Sequence, residues 1–225
     1  MSAYILMRIL ESAPSRYDRG IRILTLGRLD KAYHNLVSYI RGEQQVLDLG
    51  SGTGELALKA AQRGARVKGI DINLQMLTIA RKRARELSLE QNLDFYEMGV
   101  AELDKENTAS YDAVMSGLCF SELTEDELTY TLREVERILK SGGLLLVADE
   151  IVPANTAMKI LNWLIRMPLV VITYIVTQTI SHAIRDLPQK VKEAGLSVEN
   201  LRLNSMGSFL EMVAVKSKRG QNEPA

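Results

Sequence analysis

One cysteine, two histidines and no net charge leave this 225-residue chain short of several kinds of chemistry. With Cys119 alone no internal disulfide can form, and His34 and His182 stand too far apart in sequence to build a Cys/His cluster of metal-ligand spacing. No structural zinc is expected. Lys plus Arg equals Asp plus Glu at 28 each, so no overall field draws nucleic acid or a strongly anionic partner. Long hydrophobic runs are missing too. Tyr4 to Leu10 is broken by Arg8 and followed by no small-residue cleavage site, so it does not read as a signal peptide. Met158 to Val176 is divided by Asn162, Arg166 and Pro168, which leaves fewer than the roughly twenty uninterrupted apolar residues that a membrane span needs.

What is present suits a single large α/β domain, since 46% apolar content is enough for a core covered on both faces. An amphipathic helical region over 16–40 leads into alternating strand and helix signals up to about Glu150, the pattern of a parallel sheet wrapped by helices. The run Arg81-Lys82-Arg83-Ala84-Arg85 on the second helix of that series reads as a solvated face. Between Pro153 and Pro188 lies an apolar insertion carrying Trp163 and Tyr174, which reads either as helices packed over the sheet or as a lid above its open end. Beyond it, Leu187 to Ala194 predicts a helix stopped by Gly195. Leu196 to Leu203 and Phe209 to Val215 then predict an antiparallel pair around a Gly207-Ser208 turn. The tail from Lys216 to Ala225 lacks apolar anchors and is expected to fray.

The most informative stretch is Val46 to Gly54, VLDLGSGTG. Val46, Leu47 and Leu49 end an apolar strand, Leu56, Ala57, Ala60 and Ala61 line one stripe of a following helix, and Gly50, Gly52 and Gly54 fall at the turn between them. Glycines there can adopt positive φ and let a ligand lie on bare backbone. A dinucleotide loop would space its glycines as G-x-G-x-x-G, whereas this one reads G-x-G-x-G and is preceded by Asp48. A carboxylate in that cleft repels phosphate and attracts a ligand bearing a sulfonium and an ammonium. Asp71, at the end of the next apolar segment, reads equally as a ribose-binding acid or a helix N-cap.

These features resemble the class I S-adenosylmethionine-dependent methyltransferases. Asp48, Gly50, Ser51, Gly52 and Gly54 match that family's first motif, and Asp71 its ribose-binding acid. Ile72 and Met76 match positions against the adenine, Val100 and Ala101 fall where Gly-Asp-Ala-Glu is common, Tyr111 to Gly117 looks like the fourth strand with Ser116 at its cofactor-facing end, and Leu139 to Val147 looks like the turn into the fifth. Val100 departs from the pattern, because the family's adenine-binding Asp is missing there. The resemblance implies a doubly wound, mostly parallel seven-stranded Rossmann-like sheet with N-terminal helices and a helical insertion after the fifth strand. It implies S-adenosyl-L-methionine as cofactor, with S-adenosyl-L-homocysteine as its product. On that frame 1–42 would be a helical cap, 43–152 the cofactor-binding core, 153–186 an apolar lid, 187–216 the final helix and hairpin, and 217–225 the tail.

Within the family, Ser15 to Asp18 and Leu24 to Gly27 are similar to the entry segment of the ubiquinone and menaquinone C-methyltransferases, which implies that Tyr17 approaches the cofactor. Met98 to Asp104, Ser116 to Leu123 and Gly207 to Ala214 look closer to the corrinoid protein-associated methyltransferases, which implies a corrinoid-related acceptor. Asp149, Glu150 and His182 are candidates for a proton-accepting or acceptor-binding role, with Glu122 beside them. Cys119 is expected as a small buried hydrophobe rather than a nucleophile. The expected location is cytoplasmic, with peripheral membrane contact through 158–176. Two other readings stand beside the methyltransferase: a non-catalytic cofactor-binding accessory of a corrinoid or membrane partner, and a nicotinamide-dependent oxidoreductase.

Overall fold

The computed structural model describes residues 28–152, 184–204 and 207–217. Tyr17, His182, the apolar insertion and the tail beyond residue 217 lie outside the described residues.

Helix α1 (Arg28–Val37) precedes β1 (Gln45–Leu49), α2 (Glu55–Ala61), β2 (Arg66–Asp71), α3 (Leu74–Glu86) and β3 (Leu93–Glu97). A 3-10 turn over Val100–Lys105 leads to β4 (Tyr111–Gly117), and a shorter one over Phe120–Glu122 leads to α4 (Glu125–Ile138). The chain then runs through β5 (Leu139–Glu150), α5 (Leu187–Glu193), β6 (Leu196–Leu203) and β7 (Phe209–Lys216). The seven strands lie in the order β3-β2-β1-β4-β5-β7-β6, with β7 antiparallel to both of its neighbours and the pairs from β3 to β5 parallel.

Period-two alternation divides the core into two layers. Val46, Ala113, Met115, Leu146 and Ala148 point to one face, where they meet Leu29, Tyr33, Leu36, Leu56, Ala60, Leu77 and Ala80 from α1, α2 and α3. Leu47, Leu49, Val114, Leu145 and Val147 point to the other, against Leu128, Leu132, Val135, Leu187 and Val191 from α4 and α5. Strands covered on both faces become continuous apolar runs, which is why VLDL and LLLV carry so few polar residues.

The helices begin and end where local chemistry directs. Asn73 caps α3, its side chain accepting from the Gln75 and Met76 N–H groups, so the N-cap is Asn73 and not Asp71. Thr124 and Glu127 form a reciprocal capping box on α4. Gly195, at φ +93, stops the helix before the hairpin as expected. The fifth strand differs from expectation: it starts directly after α4 at Leu139 and reaches Glu150. Its register slips at the start, so that residues 139 to 144 of β5 span the length of 111 to 113 of β4, with Gly142 at φ +78 in the excess. The run on α3 is also more structural than expected. Arg81 donates to the Phe95 carbonyl at 2.7 Å, and Arg83 bonds Thr53 and pairs with Glu55, tying α3 to the start of α2.

Candidate cofactor site

The carboxyl ends of the parallel strands face one edge of the sheet, and the glycine loop opens there, after β1. Gly50, Gly52 and Gly54 all have positive φ, at 64, 52 and 81. Their side-chain positions meet different surroundings. A β-carbon on Gly50 would lie 2.7 Å from Cβ and 2.8 Å from Sγ of Cys119, and one on Gly54 would lie 2.9 Å from Phe95 Cζ and 3.0 Å from Ala80 Cβ. At Gly52 nothing lies within 4 Å. Two of the three glycines therefore make room for the protein's own side chains, and Gly52 is the one that leaves backbone open to a ligand.

Asp48, the last polar side chain before that loop, is 1% exposed, and its Oδ2 has no hydrogen-bond partner. The Ser51 hydroxyl donates to the Asp48 carbonyl at 3.0 Å. Burial pushes the Asp48 carboxyl up to about 7, and the neighbouring Asp71 carboxylate adds to the rise. A buried carboxylate oxygen without a donor is costly unless a ligand supplies one. A cationic ligand would fill that need, and a phosphate would worsen it.

Asp71 ends β2 beside the loop. Its Oδ2 accepts the Gly52 N–H at 2.8 Å and its Oδ1 accepts the Asn73 N–H at 2.7 Å. Each oxygen keeps a lone pair for a further donor such as a ribose hydroxyl. Next to it Ile72 is 77% exposed, and its Cγ2 lies 3.2 Å from where a β-carbon on Gly99 would be. Met76 and Val100 are partly buried near the same end, so an apolar shelf adjoins the two acids. Glu102 is occupied elsewhere, accepting the Gly99 N–H and pairing with Lys105, and the Ala101 carbonyl accepts from Tyr130. Such an array suits a nucleoside with a cationic tail: a polar end for ribose, an apolar shelf for a base, and a carboxylate with one unpartnered oxygen.

The remaining candidates are placed differently. Ser116 is fully buried with an unpartnered Oγ, and alternation turns it toward the α4 layer, away from the face that carries Asp48. Asp149 is also fully buried: Oδ2 accepts the Phe120 and Ser121 N–H groups at 2.9 and 3.3 Å, and Oδ1 accepts that of Glu150 at 2.7 Å. Burial pushes its carboxyl up to about 7 despite these donors. Glu122 stands exposed on the turn that Asp149 holds, its pKa raised by the protein around it and then by Asp71. Cys119 is partly buried, and its thiol is pushed up by the protein around it and then by the surrounding carboxylates. Two contributors escaped the sequence reading: Cys119 as the cover of Gly50, and Tyr33, whose phenol crosses Gly117 at the end of β4. A glycine at the end of an apolar strand was the available signal for Tyr33.

Among the described residues no helix is long and apolar enough to cross a membrane. The strand order and the glycine-acid crevice define a Rossmann-like methyltransferase fold. Residues 46–143 match the methyltransferase domain family. By that match and by its strand order the chain is similar to the class I S-adenosylmethionine-dependent methyltransferases. It is 33% identical over 157 residues to a demethylmenaquinone methyltransferase of Chlorobaculum parvum, covering 66% of this chain and 61% of that relative. It is 30% identical over 161 residues to a ubiquinone/menaquinone biosynthesis C-methyltransferase of Bartonella quintana, covering 68% and 60%. The chain spans about three fifths of the length of these curated relatives. An O-methyltransferase family protein of Burkholderia thailandensis shares the fold, with a TM-score of 0.68 at 18% identity over 93% of this chain and 60% of that one.

Proposed function

We propose that this protein transfers a methyl group from S-adenosylmethionine to a small apolar acceptor of the quinone-precursor type. The observation that carries the reading is the buried, unpartnered Oδ2 of Asp48 behind a loop whose middle glycine faces open space. When bound, S-adenosylmethionine supplies an electrophilic methyl group on a sulfonium. The chain's own part is to bind, orient and keep water out. Asp48 holds the ammonium of the amino-acid end, and Asp71 accepts the ribose hydroxyls while keeping the loop in place. Ile72, Met76 and Val100 pack against the adenine without reading its amino group. Positioning of this kind supplies roughly 7 to 11 kcal/mol of a displacement barrier in well-oriented cases.

The quinone-type acceptor is supported by the two curated relatives, whose names specify menaquinone or ubiquinone biosynthesis. A carbon or oxygen acceptor must also lose a proton. Asp149 has both oxygens committed to backbone N–H groups, which leaves Glu122 and Glu150, at the same edge, as the described carboxylates to take it. The glycine spacing and Asp48 disfavour a nicotinamide dinucleotide.

Calorimetric titration with S-adenosylhomocysteine and with NAD tests the cofactor, the first binding and the second not. Transfer of labelled methyl to a panel holding a demethylated quinol, a simple phenol and a reduced corrinoid then tests the acceptor, with label expected on the quinol. Binding of NAD in preference to S-adenosylhomocysteine would sink the reading.

A further inference from the structure

Leu118, the first residue after β4, has φ +63, a left-handed conformation that a bulky side chain keeps only where its surroundings hold it. Its N–H donates to the Ala148 carbonyl at 2.9 Å, and its own carbonyl accepts the Ser121 hydroxyl at 3.3 Å. The chain then closes a 3-10 turn, the Glu122 N–H donating to the Cys119 carbonyl at 3.1 Å. That turn is gripped from two sides. Cys119 packs on the bare backbone of Gly50, which sets the turn against the glycine loop. On the other side lies the carboxylate of Asp149, whose Oδ2 accepts the Phe120 and Ser121 N–H groups.

The same carboxylate reaches the next strand end, because its Oδ1 accepts the Glu150 N–H. Joining β4 to β5 does not require it. Parallel pairing runs from Ala113 to Gly117, and the Leu118 N–H continues the ladder for one residue more. Asp149 instead fixes what lies past the ladder: the turn that ends in Glu122, and the backbone of Glu150. Those two residues carry the carboxylates left to take a proton from the acceptor. One buried side chain thus sets them relative to each other and, through Cys119, relative to the glycine loop.

Proton removal depends on that placement. As a carbon of the acceptor bonds the methyl group, the sulfur–methyl bond breaks and its electron pair stays on sulfur. The acceptor gives up one proton to a carboxylate within hydrogen-bond reach.

We propose that Asp149 is a positioning residue for methyl transfer, which sets Glu122 and Glu150 against the acceptor and leaves cofactor binding alone. The assignment rests on the methyl-transfer reading above and adds to it the buried side chain that places the proton acceptors.

The test uses the full chain and Asp149→Asn, which keeps the size of the side chain and one accepting oxygen, with a matched thermal melt to show that the variant is folded. Calorimetric titration with S-adenosylhomocysteine counts the competent sites, and transfer of labelled methyl to the demethylated quinol is expressed per site. Affinity for S-adenosylhomocysteine is expected to stay unchanged while transfer per site falls about 10- to 100-fold. Labelling of Cys119 by a neutral thiol reagent, which needs no acceptor, should become severalfold faster as the turn loosens. In a Glu122→Gln/Glu150→Gln background Asp149→Asn should have no further effect on residual transfer. A variant that loses sites but keeps its rate per site would make Asp149 a support of the fold only, and unchanged Cys119 labelling would mean that it does not hold the turn. An undiminished effect in the double-Gln background would mean that it acts through other groups. Each of these overturns the assignment and leaves the methyl-transfer reading intact. A wild-type chain that binds S-adenosylhomocysteine yet labels neither quinol, phenol nor corrinoid overturns that reading, and the assignment with it.

Discussion

The Gly52 N–H donates to Oδ2 of Asp71 at 2.8 Å, joining the middle of the glycine loop to the end of the neighbouring strand. Because Oδ1 of the same carboxylate accepts the Asn73 N–H, one side chain fixes both the loop and the entry to α3. Asp71→Ala removes both acceptors and a ribose ligand together. We expect a loss of about 1–3 kcal/mol of stability and at least tenfold weaker binding of S-adenosylhomocysteine, with Asp71→Asn retaining part of the stability and little of the affinity. Calorimetry and thermal melts measure the two separately, and unchanged affinity in the Ala variant would remove Asp71 from the site.

Two glycines near the loop separate binding from packing. Gly52→Ala meets no neighbour but must hold φ 52, at a backbone cost of about 1–2 kcal/mol, and its methyl intrudes on the space left for ligand. Gly69→Ala drives a methyl to 2.5 Å from Phe95 Cδ1 and 2.6 Å from Ser51 Oγ, an overpacking of about 1–3 kcal/mol. Relative to its loss of stability, the first variant is expected to lose more cofactor affinity than the second. Equal ratios would contradict the view that Gly52 is the ligand-facing glycine.

Protonation gives opposite signs for folding and for binding. Asp48 and Asp149 are both raised from 3.8 to about 7 by burial, so the folded chain retains protons that the unfolded chain has released. Stability of the ligand-free protein should therefore fall as pH rises from about 4 to about 7 and level off above that. Cofactor binding requires Asp48 ionised. Affinity for S-adenosylhomocysteine should rise through pH 7, with proton release detectable as a dependence of the binding heat on buffer, and Asp48→Asn should flatten that profile as well as weaken binding. A pH-independent wild-type affinity would show that Asp48 does not face the ligand.

Asp149→Ala strands the Phe120, Ser121 and Glu150 N–H groups that its carboxylate accepts. At about 1–3 kcal/mol for each buried group left unsatisfied, this is expected to be among the most damaging single changes in the chain. Chemical denaturation gives the value, and a loss under 1 kcal/mol would show that water replaces the carboxylate easily.

Much of the architecture could be read from periodicity, and the fourth strand was bounded at Tyr111 and Gly117 as observed. The helix-and-hairpin finish was legible for the same reason: alternation, Gly195 and the Gly207 turn are local signals. Contacts between distant segments were not. Nothing near Asp149 in sequence reveals that its acceptors serve a turn almost thirty residues earlier, and so it looked like a candidate for proton transfer. Gly50 and Gly54 looked alike with Gly52, although Cys119 and Phe95 are what they accommodate. Arg83 read as surface charge because Glu55 lies 28 residues away. Period reports which face a residue occupies, whereas its partner there is decided only when the layers close.

The antiparallel seventh strand has a consequence for how the chain assembles. β7 is the last described strand in sequence, yet it lies inside the sheet and joins β5 to β6. While a nascent chain is still short of Phe209, β5 is an exposed edge with unpaired backbone, and β6 has nothing to dock against. A ribosome stalled at Asn204 would hold the glycine loop and both acids of the crevice already synthesised, but on a sheet open to pairing with another chain, so the synthesis of β7 is when this domain most needs a chaperone.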